Sequence, residues 1–392
     1  MKKWLSVTMV FLLIGLTMAL FFTNNFHPKN RLSQNSNIFE IKAKVLEVDD
    51  DDVMKGGLAN IGFQRLKIEL LEGSFKGNII MATNNLLGQL EIDEIYEVGD
   101  IIIAGIQIKN NEITNAIAVS LYRQGNELLL FGLFLFLLIF FARYIGLKAF
   151  LSFIASLYII WNFLLPGLLK GYNPMLISAS FLILLTFIII FAIAGFTKKG
   201  LSAFIGTLCG LFVTIGITYF FGSRFGLMGM TASYASTLAF SGYLHLNMRD
   251  IFYAAIIIGA SGAAMDIAMD VAASMQEVKE KKPEITITEL IQSGFNVGRA
   301  VIGTMTTTLL LAYSGGYLTL LMFFVSKDTS FVRILNLKIV AAEIMRTLIG
   351  SIGLVLVAPI TAIVAGWILS THFDLNRIKK LFKMNNEHFF IE

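Results

Sequence analysis

Two carboxylates spaced four residues apart within an apolar stretch, Asp266 and Asp270, are the strongest candidates for chemistry in this sequence. Residues four apart share one face of an α-helix, and Gly259 and Gly262 lie on or near that face, where small residues let another helix approach closely. An ionisable side chain inside a membrane is costly and by default marks function. We predict that Asp266 couples the movement of a proton or cation. Simple solvation at the membrane surface is the alternative for Asp270.

The next apolar segment supplies possible partners for these carboxylates. If the two segments are antiparallel membrane spans, Arg299 lies near the depth of Asp270, and Thr304 and Thr307 lie near that of Asp266. Gly303 is a further packing position. The threonine hydroxyls offer oxygens to a cation or else bond their own helix carbonyls. We expect Asp266 to face protein, beside Arg299 or the threonine surface.

Several classes of function are excluded by what the sequence lacks. It contains no phosphate-binding Gly-rich loop, no His-Glu-x-x-His and no Gly-x-Ser-x-Gly, so we predict no enzyme. One cysteine, Cys209, and four scattered histidines predict no metal site and no cofactor. The net charge of +4 comes without a dense basic stripe, which excludes nucleic acid as a partner. The basic flanks of the apolar runs suit a lipid bilayer.

Membrane spans are predicted because 56% of the residues are hydrophobic and many of these fall in long runs. About 20 apolar residues cross a bilayer as a helix. The predicted spans cover residues 4–22, 128–145, 149–169, 174–196, 201–221, 251–275, 300–325 and 347–370.

These spans divide the chain into an N-terminal anchor (1–23), a seven-helix transmembrane domain (126–371) and a cytoplasmic tail (372–392). A cleaved signal peptide is the alternative for the anchor. Residues 228–246 are too polar for an ordinary span and fit an interfacial or re-entrant segment. The apolar residues of 284–296 fit a surface helix that precedes the next span.

Residues 24–125 form the one sizeable polar stretch, and they read as strands. Apolar and polar residues alternate over 39–48 and 64–70, and similar patterns recur in 78–83, 96–98 and 100–108. Short strands at this spacing predict a small barrel or sandwich. The fold prediction is therefore an all-α polytopic membrane bundle of about eight transmembrane helices. A small extracytoplasmic β-barrel or β-sandwich-like domain is inserted after the first helix.

The orientation follows from the basic residues near the span ends. Lys2 and Lys3 precede the first span, and the ends on the same side carry more Lys and Arg than the opposite ends. Because basic loops stay in the cytoplasm, we expect a multi-pass protein of a bacterial cell membrane, with both termini cytoplasmic and the β domain outside.

The chain resembles the YibE/F family of bacterial multi-pass membrane proteins over residues 40–370. The resemblance is carried by Ile256–Ala263 running into Asp266, and by the later segments. These are Gly298-Arg299, Ile302–Met305, Thr307–Leu309, Leu311–Tyr313, Arg346, Gly350–Gly353 and Pro359–Ala362. It implies a β-rich extracytoplasmic segment followed by about seven helices, and it implies no particular chemistry. Asp270 falls at a less constrained position of the motif, which favours Asp266.

Together these features predict a secondary transporter or exporter component that moves an unknown small solute or ion. Asp266, Asp270, Arg299, Thr304 and Thr307 form the candidate coupling site. The alternative is a non-transporting membrane scaffold or sensor, whose extracellular β domain binds a protein partner.

Overall fold

The computed structural model describes residues 38–371, except Leu58, Gln89, Glu91, Asn110, Asn111 and Asp328. The predicted anchor (1–23) and tail (372–392) lie outside the described residues. The described residues form two compact units, which divide between Phe140 and Phe141. The first unit is a β domain with the start of a helix, and the second is helical.

The β domain is a closed five-stranded barrel. Its strands are β1 (Ile38–Asp49), β2 (Val53–Gly56), β3 (Ala59–Leu70), β4 (Ile79–Leu87), β5 (Ile101–Lys109) and β6 (Glu112–Leu121). The pairing runs β1–β5–β6–β4–β3 and returns to β1, while β2 extends β3 as a hairpin. β4 and β6 are parallel, and the other pairs are antiparallel. Leaving β2 aside, this is the strand order of the OB fold, and a fold of this kind does not by itself define a function.

The barrel core follows the two-residue alternation of the strands. Along β3, Gln64, Leu66, Ile68 and Leu70 are buried while Arg65 faces out, because successive side chains of a strand point to opposite faces. The interior is filled mainly by aliphatic residues. They are Ala43, Val45, Leu66, Ile68, Leu70, Ala82, Ile102, Ala104, Ile106 and Ala116.

One end of the barrel is closed by the β4–β5 loop, residues 88–100. Its Tyr96 side chain is buried, and burial raises the pKa of Tyr96 to about 12, with the charge of Glu94 adding to the effect. The Tyr96 backbone N–H donates to Oε1 of Gln64 at 3.0 Å, and Nδ2 of Asn84 donates to the same oxygen at 2.9 Å. Nε2 of Gln64 donates to Asp50 at 2.7 Å. Tyr96 therefore plugs the barrel as a neutral phenol.

The predicted strand pattern is correct for four strands and incomplete for the others. β2 and β6 are absent from it, and residues 96–98 lie in the loop because Tyr96 turns inward to cap the core. In the described part of the chain the barrel precedes every membrane-length helix. The prediction that it follows a first helix concerns residues outside that part.

The helices extend from the end of the barrel to residue 370. They are α1 (Gln124–Ile159), α2 (Leu165–Leu169), α3 (Pro174–Ala194), α4 (Lys198–Phe225), α5 (Ala235–Phe240), α6 (Met248–Lys281), α7 (Ile287–Gly316), α8 (Leu318–Ser326), α9 (Phe331–Asn336) and α10 (Lys338–Ser370). A π-helical turn, Ile160–Leu164, joins α1 to α2. Five stretches in the described residues are long and apolar enough to cross a membrane, or six if α7 and α8 form one bent span.

The first of these stretches, Gln124–Leu169, is 46 residues long and holds two helices that meet at a break. Backbone angles leave the helical region at Arg143, with φ 48° and ψ −124°. The break lies close to the boundary between the spans predicted at 128–145 and 149–169. The predicted seven helices in 126–371 exceed the five or six stretches because these two predicted spans fall within one of them. The bend of 66° between α7 and α8 follows the Gly315-Gly316 pair.

One connecting segment differs from its prediction, while the interfacial or re-entrant placement of a second, residues 228–246, stays a prediction. The amphipathic residues 284–296 are not a separate surface helix, because they run into α7 without a break. Thr286 and Glu289 form a capping box at its start: the Glu289 N–H donates to the Thr286 hydroxyl at 3.3 Å, and the Thr286 N–H donates to the Glu289 carboxylate at 3.0 Å. Residues 228–246 consist of turns around the short helix α5.

Helix α10 packs directly on the backbone of α4. A Cβ placed on Gly206 would lie 2.8 Å from the Thr361 Cα, and one on Gly210 would lie 3.2 Å from the Val357 Cα. One placed on Gly353 would lie 2.9 Å from Cγ2 of Thr214. The three contacts thus follow one another at steps of four residues along each helix. The glycine is on α4 in the first two contacts and on α10 in the third. Close backbone approach of this kind replaces the hydrophobic driving force that lipid cannot supply.

Helix α10 makes a second close contact with α7. A Cβ on Gly294 would lie 2.8 Å from the Ala362 Cβ, and one on Gly298 would lie 3.1 Å from the Ala358 Cβ. At Gly366 the glycine is on α10 and the larger side chain is on α7: a Cβ on Gly366 would lie 3.1 Å from Cδ1 of Ile291. α10 is therefore the helix around which α4 and α7 are arranged.

Replacing Gly210 by Leu is expected to destabilise the membrane unit, because the new side chain has no space against Val357. Overpacking of a dense interior costs about 1–3 kcal/mol, and a rigid backbone contact lies at the upper end. Gly216→Leu is the matched control on the same helix, since a Cβ there meets nothing within 4 Å. Thermal unfolding of the full chain in detergent measures both. An equal loss of Tm in the two variants would contradict this packing.

Candidate functional site

The predicted coupling carboxylates lie on α6, whose N-cap residue is Asn247. One face of α6 is buried along its whole length, for example at Tyr253, Ala260, Ala264 and Val271. The residues of the opposite stripe are all small or acidic, and all are exposed in the single chain. They are Ala255, Gly259, Gly262, Asp266, Asp270 and Glu277.

The depth of each carboxylate relative to α7 follows from two close contacts. A Cβ on Gly294 would lie 3.2 Å from Cγ of Met275, and one on Gly298 would lie 3.9 Å from Cγ2 of Val271. α6 and α7 are antiparallel, so a step of five residues from Val271 to Asp266 matches the step from Gly298 to Gly303. By the same count, Asp270 is level with Arg299.

The expected neighbour Arg299 forms no ion pair with Asp266 in the described part of the chain. Among the described residues, no ion pair within 4.0 Å joins Asp266 or Asp270 to Arg299, and Arg299 instead donates to Asn296 at 3.5 Å. The physical reason is rotation about the helix axis. Gly298 faces α10, and Arg299 leaves the helix about 100° further round, so equal depth does not bring the side chains together. Asp266 is exposed in the single chain, and that it faces protein in the membrane stays a prediction.

The threonines of α7 bond their own helix. The Thr304 hydroxyl donates to the Val301 carbonyl at 3.0 Å, and the Thr307 hydroxyl donates to the Gly303 carbonyl at 3.5 Å. Both residues are exposed. This is the second of the two predicted alternatives. The Thr306 hydroxyl is buried and has no hydrogen-bond partner in the described part of the chain.

The glycines predicted to pack near Asp266 have different surroundings. A Cβ on Gly259 would lie 3.1 Å from the Tyr313 hydroxyl, but a Cβ on Gly262 or Gly303 would meet nothing within 4 Å. The close helix contacts of this unit are formed instead by glycines of α4, α7 and α10. The open glycines leave the stripe around Asp266 accessible from the side.

A second charged group lies at the junction of three helices. Glu343 and Arg346 of α10 form an ion pair at 3.3 Å, with side chains only 16% and 21% exposed. Nη1 of Arg346 lies 3.3 Å from the Tyr317 hydroxyl, next to α7, and the guanidinium lies 5.5 Å from the ring centre of Phe252 on α6. Nε of Arg346 is buried with no partner in the described part of the chain. The three-residue spacing of Glu343 and Arg346 suits a pair on one helix, but it could not indicate Tyr317 or Phe252, which come from other parts of the chain.

The two charged groups are separated along the membrane normal. Gly350 and Ala260 are neighbours, with a Cβ on Gly350 lying 3.7 Å from the Ala260 Cβ. Arg346 is four residues from this level in one direction, and Asp266 is six residues away in the other. At 1.5 Å per residue they lie about 15 Å apart. No three or more His, Cys, Asp or Glu residues are grouped for a metal ion in the described residues, so the chemistry on offer is that of carboxylates and one guanidinium.

Fold and site together define a multi-pass helical membrane protein that carries a small β-barrel. The family model described as YibE/F-like protein matches residues 130–371, more than half of the chain. The chain therefore belongs to the YibE/F-like family, as the sequence motifs indicated. Comparison with curated proteins and with solved structures gives no match.

Glu343→Gln is expected to lower the stability of the membrane unit, because it leaves the largely buried guanidinium of Arg346 without its counter-charge. Removing one partner of a fully buried pair costs about 3–5 kcal/mol, and partial exposure reduces this to about 1–2 kcal/mol. The double variant Glu343→Gln/Arg346→Gln should recover part of the lost Tm.

The control is Lys282→Gln, which removes an exposed pair with Glu289 (3.8 Å; side chains 62% and 55% exposed). Exposed pairs contribute about 0–1 kcal/mol, so its Tm should barely change. If Glu343→Gln behaves like Lys282→Gln, the pair has no structural role.

Proposed function

We propose that the protein is a secondary transporter, or the membrane component of an exporter, in which Asp266 carries the coupling proton or cation. The observation that supports this most is the exposed stripe of α6, where small residues surround a carboxylate that has no ion-pair partner in the described part of the chain. Structural carboxylates in membranes are normally paired, so an unpaired one favours a functional role.

The depth of Asp266 adds to this argument. It lies fifteen residues beyond Ile251, where the apolar part of α6 begins, and thus about 22 Å into a hydrocarbon layer of about 30 Å. A charged carboxylate at that depth is unfavourable against lipid. The stripe therefore needs a cover of protein or a water-filled path, and the open positions at Gly262 and Gly303 leave room for either.

This requirement favours an exporter component over a self-contained carrier. Asp266 lies on an open face of the single chain, so further protein would complete its surroundings. The Glu343–Arg346 pair closes the same three-helix group about 15 Å away. We propose that it serves as a gate, with Asp266 as the ion-carrying group on the other side.

The alternative function is a non-transporting scaffold or sensor whose β domain binds a partner. Exposed apolar side chains on the barrel, such as Met54 and Leu87, favour it. In that case the carboxylates of α6 would hold another subunit rather than an ion, and their removal would change assembly without changing ion flux.

The transport proposal is tested with the full chain in liposomes that contain a pH-sensitive dye. We expect a proton leak, or an exchange of protons for an added monovalent cation, that Asp266→Asn reduces at least tenfold while protein yield is unchanged. Glu277→Gln is the matched control on the same stripe, since it removes a carboxylate beyond the apolar part of α6. Equal flux in wild type, Asp266→Asn and empty liposomes would reject transport of these ions.

Orientation is the second part of the proposal: both termini are cytoplasmic and the barrel is outside. The sequence has one cysteine, so Cys209→Ala gives a background for single-cysteine labelling. An impermeant thiol reagent should label Ser74→Cys in intact cells and label Asn386→Cys only after lysis. Labelling of Asn386→Cys in sealed cells would reverse the assignment.

A further inference from the structure

The β4–β5 loop exposes a row of large apolar side chains. Leu90, Ile92, Ile95 and Val98 are 66%, 59%, 45% and 66% exposed. Single exposed apolar residues are normal on protein surfaces, whereas several within one short segment mark a contact surface. The barrel core does not need them, because Tyr96 of the same loop already closes the barrel.

The loop is held firmly against the barrel. The side chain of Asn84 donates to the Glu94 carbonyl at 2.6 Å, and the backbone N–H of Leu87 donates to the Asp93 carboxylate at 2.8 Å. Together with the bonds of Tyr96 to Gln64, these contacts fix where the apolar side chains lie. Their exposure is thus built into the fold.

The same loop is tied to the point where the chain leaves the barrel for the membrane. The Glu94 carboxylate accepts the Leu121 backbone N–H at 2.8 Å and pairs with Arg123 at 2.7 Å. β6 ends at Leu121 and α1 begins at Gln124. The first long apolar run of α1 starts at Leu128, four residues later.

These links determine the height of the loop above the hydrocarbon layer. From Arg123 to Leu128 the chain rises about 8 Å at 1.5 Å per residue. The headgroup layer on each side of a bilayer is about 5–8 Å thick, the difference between the full and hydrocarbon thicknesses divided by two. A loop bonded to Arg123 through Glu94 therefore lies within or directly at the headgroups.

We propose that the β4–β5 loop is a lipid-docking surface, which inserts Leu90, Ile92, Ile95 and Val98 among zwitterionic phospholipid headgroups. Its charge selects this class of lipid. Asp93, Glu94, Glu97 and Asp100 lie in the loop, with Arg123 as the neighbouring cation. Carboxylates suit the terminal ammonium of a zwitterionic headgroup and are repelled by an anionic one. With two residues between β6 and α1, this docking fixes the barrel against its leaflet.

The test uses the full chain with Cys209→Ala, reconstituted in zwitterionic liposomes. An environment-sensitive fluorophore is attached to Leu90→Cys or Val98→Cys, and a nitroxide on the lipid headgroup serves as quencher. Ile79→Cys is the matched control: it is apolar, 56% exposed and at the opposite end of β4. β4 is parallel to β6, so eight residues at about 3.3 Å place it roughly 26 Å from Leu87, away from the start of α1.

We expect quenching at positions 90 and 98 to exceed that at 79 by threefold or more, and to fall when half of the lipid is anionic. Equal quenching at all three positions overturns the proposal. A fluorophore at 90 or 98 that is shielded from water but not quenched means that protein covers the loop, which also overturns it. Unchanged quenching in anionic liposomes rejects the choice of zwitterionic lipid. If a variant does not fold, Ile92→Cys replaces it in the same comparison.

Discussion

The membrane unit depends on the close approach of α10 to its neighbours. In lipid, apolar side chains gain nothing by leaving one helix surface for another, so helices associate through packing and polar contacts. Gly206, Gly210 and Gly353 let α10 lie directly on α4, and Gly294 and Gly298 do the same for α7. The positions of α6 and its carboxylates relative to α7 follow from this arrangement.

Glycines of the membrane unit have two opposite kinds of surroundings. Glycines that are packed against a helix hold the unit together, whereas Gly262 and Gly303 border open space beside Asp266. A helix surface that is small and acidic gains little from lipid contact. This contrast between closed and open glycines is what distinguishes the scaffold of the unit from its candidate site, and it is visible only once the helices are placed.

Sequence patterns predicted the parts of the fold that depend on local physics. Long apolar runs indicated the helices, and the alternation around Gln64–Leu70 indicated a strand of the barrel. β6 was missed because its outer face, at Val119, is as apolar as its inner face, so the alternation is weak. Depth along antiparallel helices was also predictable, since it follows from counting residues. The rotation of each helix about its own axis was not predictable. Whether Asp266 and Arg299 meet depends on which face of α7 packs on α10, and contacts between residues distant in sequence determine that face.

The glycine contacts between α4 and α10 also limit how these helices can move. A slide by one turn would place Val357 or Ile349 where Gly353 now lies against Thr214, and no side chain fits there, since even a Cβ would lie 2.9 Å from Cγ2 of Thr214. Both directions of sliding are therefore blocked, and the pair has a single register. A conformational change that keeps these contacts therefore carries α4 and α10 together as one rigid body.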